Sequence, residues 1–530
     1  MTLNVNVGLM GHVDSGKTSL AKALSSVAST ASFDKSPQSQ ERGITIDLGF
    51  SSFYVDARDY LADSDFQLLQ FTLVDCPGHA SLIKTVIGGA QIIDIIILVI
   101  DITKGVQTQT AECLVISEII NKPMLIVLNK IDLLPSEKQQ SGIDKVVKKL
   151  QITLKSTPFS NASIVPTSAI RGQDDPKKEG FSELINKLCR MVKDVERPVN
   201  KPMLLSVDHC FIIKGKGTIM TGTMIQGQLE LGNNIEIPAL KEIKKVKSMQ
   251  TFKKDVKKVQ AGDRVGICVT QFDPKSLERG LICAPGYISP LFAVVIKMKK
   301  VTYYRNTISS GSKYHVSIGH ETVIAKLTLF LELSEKAEFN LDKDYLFLDE
   351  YNDSEQRVCY ALLQFEHSVL SPSNSLIIGS KLDMDVNAPS CRLVFHGISL
   401  FDVSDRNYET SLLPKLKLFK YKQKTGVVYK MNNSTDIIAK SLFKKETKMY
   451  NFTNLKITLS TGENGYIEST FGQGGKVRIT IPEGLRQETE HILKKMSKCS
   501  DTTLNNESVK VFLRFKRYIY DRDKKIIQNE

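Results

Sequence analysis

Residues Gly11-His12-Val13-Asp14-Ser15-Gly16-Lys17-Thr18 set two glycines, a lysine and a hydroxyl at the spacing Gly-x-x-x-x-Gly-Lys-Thr. That set suits a phosphate chain. The glycines let backbone N–H groups close around phosphates, Lys17 offsets their charge, and the Thr18 hydroxyl suits Mg²⁺. Further clusters follow downstream. Asp75-Cys76-Pro77-Gly78-His79 offers a carboxylate, Asp75, to hold Mg²⁺ through water, and a Gly78 N–H to sense a γ-phosphate. In Asn129-Lys130-Ile131-Asp132 the Asp132 carboxylate accepts two hydrogen bonds from N1 and the exocyclic amine of guanine. Adenine would leave that buried carboxylate unpaired, so it is excluded. Thr167-Ser168-Ala169-Ile170 then offers backbone donors to the guanine O6.

Arg42-Gly43-Ile44-Thr45 completes the set. The Thr45 hydroxyl reaches Mg²⁺ only while a γ-phosphate is present, so hydrolysis would release this segment and signal through order and disorder. His79 has two readings, a structural histidine with satisfied partners or the residue that positions the attacking water. Its place directly after Asp-x-x-Gly favours the second. The expected GTP/GDP site is therefore Asp14, Ser15, Gly16, Lys17, Thr18, Ser19, Thr45, Gly78, Asn129, Lys130, Asp132, Ser168, Ala169 and Ile170. Thr18, Thr45 and Asp75 are the expected Mg²⁺ residues, and His79 the catalytic group.

These clusters need elements to hold them. Leu3 to Val7 alternates as a strand into the first glycine loop, and Ser19 to Ser26 reads as a helix. Phe71 to Val74, Met124 to Leu128 and Ile164 to Pro166 are apolar runs that each end on a cluster, as in an open parallel α/β sheet. Residues 1–200 are thus expected to form a P-loop GTPase domain, closed by a charged, Pro-containing linker around Lys193 to Pro202. Short β-rich runs such as Thr218 to Ile225 and Val265 to Phe272 predict a small β-barrel over 201–287. Val294 to Lys300, Lys313 to Ile318 and Ala325 to Leu331 predict a second over 288–410. Leu455 to Ser460, Lys476 to Ile481 and Leu513 to Tyr518 predict a third over 411–530, with a helical stretch between Leu485 and Asn506. In the last of these runs the alternation puts charge on one face with aromatics nearby. The expected fold class is multidomain, α/β followed by all-β.

Charge is segregated along the chain. The total of +13 divides into about −1 over 1–200, +9 over 201–300, −7 over 301–410 and +12 over 411–530. Lysines that merely solubilise these faces are one reading; the other is a polyanion, RNA, laid across two separate modules. The most apolar run, Ile95 to Ile100, falls far short of the roughly 20 residues that span a bilayer. No secretory leader pattern opens the chain, and the nine scattered cysteines form no Cys-x-x-Cys pair, so a cytoplasmic protein with reduced thiols and no membrane contact is expected.

Together, Gly-His-Val-Asp-Ser-Gly-Lys-Thr, Arg-Gly-Ile-Thr and Asp-Cys-Pro-Gly-His resemble the translational GTPases related to elongation factor Tu. In that family the histidine matching His79 orients the attacking water when the ribosome triggers hydrolysis. Ser15 departs from elongation factor Tu, which has histidine there, and is similar to the eukaryotic selenocysteine-specific elongation factors. Val207-Asp208-His209-Cys210-Phe211, Gly262-Asp263-Arg264-Val265-Gly266, Phe395-His396-Gly397 and Ser441-Leu442-Phe443-Lys444-Lys445-Glu446 extend the likeness over nearly the whole chain.

That resemblance implies a monomeric carrier of selenocysteinyl-tRNA to ribosomes paused at UGA, aided by a separate protein that binds the selenocysteine insertion element in the mRNA. It also implies an amino-acid pocket built from Asp208, His209 and Arg264, with Asp208 on the α-amino group and the other two facing the selenolate. Seryl and selenocysteinyl groups differ little in size, so charge must discriminate between them. A bland reading of His209 and Arg264 is that they pair with nearby carboxylates in the barrel. The rivals to the whole reading are an initiator-tRNA carrier, which lacks a basic final barrel, and an RNA-binding regulator that only senses GTP.

Overall fold

A computed structural model describes residues 2–28, 48–61, 66–79, 83–170, 180–195, 197–333, 338–353, 357–384, 391–445, 447, 449–472, 475–498, 508–521 and 526–528. Thr45 and the Arg-Gly-Ile-Thr segment around it lie outside them.

β1 (Thr2–Met10) leads through the glycine loop into α1 (Lys17–Leu24). Then come β2 (Val27–Ala28), β3 (Gly49–Asp56), β4 (Leu68–Asp75), α2 (Ile83–Ala90), β5 (Ile95–Asp101), α3 (Thr108–Ile120), β6 (Met124–Asn129), α4 (Gln139–Leu154), β7 (Ser163–Pro166) and α5 (Phe181–Met191). They build one seven-stranded sheet in the order β2-β3-β4-β1-β5-β6-β7. β4, β1, β5, β6 and β7 run parallel, while β3 is antiparallel to β4. Helices cover both faces, so the central strands are apolar on both sides; all of β5 is buried. The sheet reverses direction at β1, and the loops after β1, β4, β5, β6 and β7 all leave from its C-terminal edge. An open α/β sheet holds its ligand in that crevice.

The next strands alternate as short runs between glycine turns. Leu204–Ile213 pairs with Gly217–Gln226, which pairs with Arg264–Val269, within an eight-stranded sheet around Val207, Met220, Ile235, Val265 and Ile267. Strands Lys313–Ile318, Leu376–Ser380, Leu393–Val403, Pro290–Lys297, Cys359–Leu370 and Glu321–Glu332 follow one another, and the first also pairs with the last, which closes a six-stranded barrel. Closure removes the free edges.

By contacts, residues 1–327 and 361–405 form one compact unit and residues 328–360 and 406–530 another. In the second, strands Leu418–Met431, Asp436–Lys440, Lys476–Thr480, Asn464–Phe471, Lys456–Leu459 and Lys510–Tyr518 make a ring closed by pairing of the last with the first. Its core gathers Ile437, Ile457, Ile467, Ile479, Val511 and Leu513, and helix Gln487–Lys498 adds Leu493 to it. Tyr345–Leu348 joins this unit by parallel pairing with Leu418 and Phe419. The fold class is therefore the expected one, an open α/β domain followed by β-rich domains. One detail differs from the sequence reading. Arg514 and Arg517 are exposed, but Lys516 is buried, its ammonium 3.4 Å from Asp344 and over the Phe419 ring. No helix among the described residues is long and apolar enough to cross a membrane.

Candidate functional site

The loop after β1 turns through backbone conformations that favour glycine or a short polar residue. Gly11, Asp14 and Gly16 have φ of 145°, 59° and 92°. Gly16 cannot be replaced without a shift, since a Cβ there would lie 2.1 Å from Asn129 Nδ2. Lys17 Nζ donates to the carbonyls of Gly11 (3.1 Å) and His12 (2.7 Å), and burial lowers its pKa against the opposing pull of Asp75. Ser15 Oγ is buried with no hydrogen-bond partner among the described residues. A buried hydroxyl without a partner is costly unless a ligand supplies one, so this loop fits a phosphate chain.

At the end of β4, Asp75 Oδ2 accepts a 2.6 Å hydrogen bond from Thr18 Oγ1. An all-oxygen pair beside a lysine fits Mg²⁺ among metal ions. A Cβ on Gly78 would come within 2.4 Å of Lys17 Nζ and 2.9 Å of Val13 N, so this glycine is forced by close approach to the phosphate loop. His79 follows it on the exposed side; Asp14 and Ser19 are exposed as well.

The base-recognition loops are tied to the phosphate loop by one side chain. Asn129 donates from Nδ2 to the Ser15 carbonyl (2.9 Å) and accepts at Oδ1 from Ala169 N (3.0 Å). Ser168 Oγ donates to Asp132 Oδ1 at 2.6 Å and fixes the carboxylate. Ile170 is 76% exposed at the loop tip. Sequence reasoning missed Asp101. It ends β5 in register with Asn129 and holds Lys130 Nζ at 2.8 Å. Burial opposes its charge, but hydrogen bonds from Lys130 and Thr103 keep its pKa below the usual carboxylate range. The available signal was an acidic residue closing an apolar strand at the ligand edge.

A second cluster lies in the same unit. A register shift between Val207 and His209 bulges the strand at Asp208. Arg264 holds that carboxylate with two bonds, 2.6 Å from Nη1 and 3.0 Å from Nη2, while His209 Nδ1 and Thr221 Oγ1 each approach Oδ1 to 2.9 Å. The guanidinium also lies 3.2 Å from the centroid of the Phe50 ring on β3. Burial opposes ionisation of Asp208, but Arg264 and His209 outweigh it and bring its pKa down to about 2. The three residues expected to act together are thus brought together, with Arg264 and His209 both on a barrel carboxylate. A cavity of about 410 Å³ beside them is lined by Phe211, Lys216, Thr221, Lys247, Lys253 and Arg264. Another of about 260 Å³ takes in Leu48 and Gly89 of the GTPase domain with Ser206, Asp208, Arg279 and His320.

Next to Arg264, the chain is riveted to the GTPase sheet. Asn6 Nδ2 donates to the Gly262 carbonyl (2.9 Å), and Arg197 pairs with Asp94 at 2.7 Å. Burial pushes Asp263 up to about 6, against the Gln260 N–H and Arg197. A carboxyl whose pKa rises on folding binds more protons folded than unfolded between about pH 4 and 6, so it costs stability as pH rises through that window. Asp263→Asn is accordingly expected to raise stability by about 2–3 kcal/mol above pH 6 and to change little below pH 4. Thermal melts across that range test it, and a pH-independent effect would contradict it.

Comparison with known proteins agrees with the order of the domains. Residues 2–195 match the elongation factor Tu GTP binding domain, 217–284 elongation factor Tu domain 2, 295–397 the third domain of the eukaryotic selenocysteine-specific elongation factor, and 414–524 the eEFSec C-terminal RIFT domain. The chain is 47% identical over 576 aligned positions to the selenocysteine-specific elongation factor of Mus musculus, covering 99% of both chains. It is 33% identical to that of Methanocaldococcus jannaschii, over 93% of this chain and 98% of the relative. The crystal structure of translation elongation factor SelB from Methanococcus maripaludis, in complex with the GTP analogue GppNHp, superposes with a TM-score of 0.70 at 26% identity, covering 98% of this chain and 99% of that one.

Proposed function

Because the chain belongs to the selenocysteine-specific elongation factors, a family of GTP-hydrolysing translation factors, we propose that its Asp208–Arg264 pair is the element that selects selenocysteinyl-tRNA. The pair is ionised and largely buried, with side-chain exposures of 12% and 5%. A selenocysteinyl ester carries an ammonium and a selenolate, one partner for each member of the pair. The ammonium takes Asp208; the selenolate takes Arg264 and His209. A seryl ester brings only the ammonium and would leave Arg264 without a counter-charge. Stranding one member of a buried pair costs about 3–5 kcal/mol. The single observation behind this reading is the bidentate contact of Arg264 with Asp208 beside the two cavities. The larger cavity, with Phe211 and three lysines, suits the terminal nucleoside and phosphates that carry the ester.

The same reading assigns the nucleotide site. Lys17, Ser15 and the loop N–H groups hold the phosphates, Asp132 and Ser168 select guanine, and Gly78 N–H meets the γ-phosphate. Thr18, Thr45 and Asp75 hold Mg²⁺, which supplies charge neutralisation at the phosphates when bound. His79 accepts a hydrogen bond from the attacking water and orients it. The factor works as a cytoplasmic monomer of four domains bounded near residues 200, 287 and 410, alongside a protein that binds the insertion element in the mRNA.

Binding of selenocysteinyl-tRNA and of the seryl form of the same tRNA, each with GTP analogue present, tests the selection step. At least about a hundredfold preference for the selenocysteinyl form is expected from the stranded-charge penalty. Equal affinity would overturn it.

A further inference from the structure

We infer that the ring-shaped barrel of the second unit carries a cleft for an unpaired RNA segment, with Tyr421 as the surface on which a base stacks. The inference rests on reading residues 411–530 as RNA-facing. The cleft has a volume of about 310 Å³ and lies over neighbouring strands Leu418–Met431, Lys510–Tyr518 and Lys456–Leu459. Tyr421, Phe512, Lys456, Arg514 and Lys516 line it, and no carboxylate does among the described residues.

Each group has a distinct part. Tyr421 is 62% exposed although its ring packs edge-to-face on Phe419 at 5.2 Å. A large aromatic held in place with its surface in water is a ready stacking platform. Lys516 is opposite Tyr421 in the strand pairing, and its charge is taken up by Asp344. That lysine therefore supports the floor. Arg514 donates from Nε to Gln423 Oε1, a neutral partner that anchors the guanidinium without cancelling its charge. Lys456 is exposed across the cleft, and Gln528 ties its backbone to that of Arg514 through bonds of 2.7 Å to both carbonyls. The cleft is thus a braced aromatic surface flanked by two cations with no carboxylate partner among the described residues, within a segment of net charge +12.

Charge alone would suit any polyanion. The aromatic surface narrows the choice, because a base inside a duplex is already stacked and cannot reach it, whereas an unpaired base can. The size fits a nucleotide and not a helix. An acidic protein segment would use the cations and gain little from the exposed ring.

The test uses the full chain and fluorescence anisotropy with a labelled oligouridylate, an RNA duplex of matched length, and polyglutamate. Wild-type protein is expected to prefer the single strand. Tyr421→Ala should weaken single-strand binding about tenfold, the loss of one stacked base, with Tyr421→Phe near wild type. Arg514→Gln should reduce the slope of log affinity against log salt by about 0.7. Unchanged oligouridylate binding by Tyr421→Ala would overturn the inference. So would equal affinity for the duplex, or tighter binding of polyglutamate with the same loss in the variant. Selenocysteinyl- and seryl-tRNA are compared on wild-type protein in parallel. Equal affinity there overturns the cargo reading and leaves the cleft standing.

Discussion

Replacing His79 by alanine is expected to lower ribosome-stimulated GTP hydrolysis by about 10²–10⁴-fold, the usual contribution of a positioned acid–base group, with GTP affinity unchanged. The geometry explains the separation. Gly78 is pinned against Lys17 and Val13, so the backbone just before His79 has little freedom. The imidazole extends from that fixed point on the exposed side of the loop. Single-turnover hydrolysis with ribosomes and equilibrium binding of a GTP analogue measure the two quantities apart. An unaltered stimulated rate would remove His79 from the chemistry. A parallel loss of nucleotide affinity would make it a structural residue of the site.

The second large effect is on base choice. Asp132→Asn is expected to weaken GTP binding by about 10²–10⁴-fold, since two hydrogen bonds to a charged group are worth roughly 1.5–3 kcal/mol each. Preference should pass to xanthine, whose carbonyl accepts where guanine donates. Ser168 holds Oδ1 of the carboxylate at 2.6 Å, so the substituted amide is held in the same plane and presents a donor to the wrong edge of guanine. Competition binding of GTP against xanthosine triphosphate measures this. Retained guanine preference would contradict the assignment of Asp132.

Much of the candidate nucleotide site could be proposed from sequence because its chemistry is local. A phosphate grip needs consecutive backbone N–H groups, so Gly11 to Thr18 is written contiguously, and each further loop follows an apolar strand at the same edge of the sheet. What escaped was contact across sequence distance. Asp101 carries no motif letter, and its hold on Lys130 exists only because β5 and β6 are neighbours in register. Asp208 and Arg264 could be named from the resemblance, but not their mutual pairing, which depends on a bulge in one strand and a ring from β3. The burial of Lys516 was hidden for the same reason. Strand alternation assigns it to the face of Arg514, and only Asp344, far upstream, shows why it is covered. That residues 328–360 pack with the C-terminal unit is likewise a matter of pairing between Tyr345 and Leu418, not of composition.

One amide has a mechanical consequence. Asn129 grips the Ser15 carbonyl with one end and the Ala169 N–H with the other. Three loops from separate strands are thereby joined like the jaws of a single vice, so loosening one is expected to strain the hold on the others. The purine and phosphate contacts of a bound nucleotide are then expected to weaken together, which Asn129→Ala would uncouple in dissociation kinetics of a fluorescent GDP.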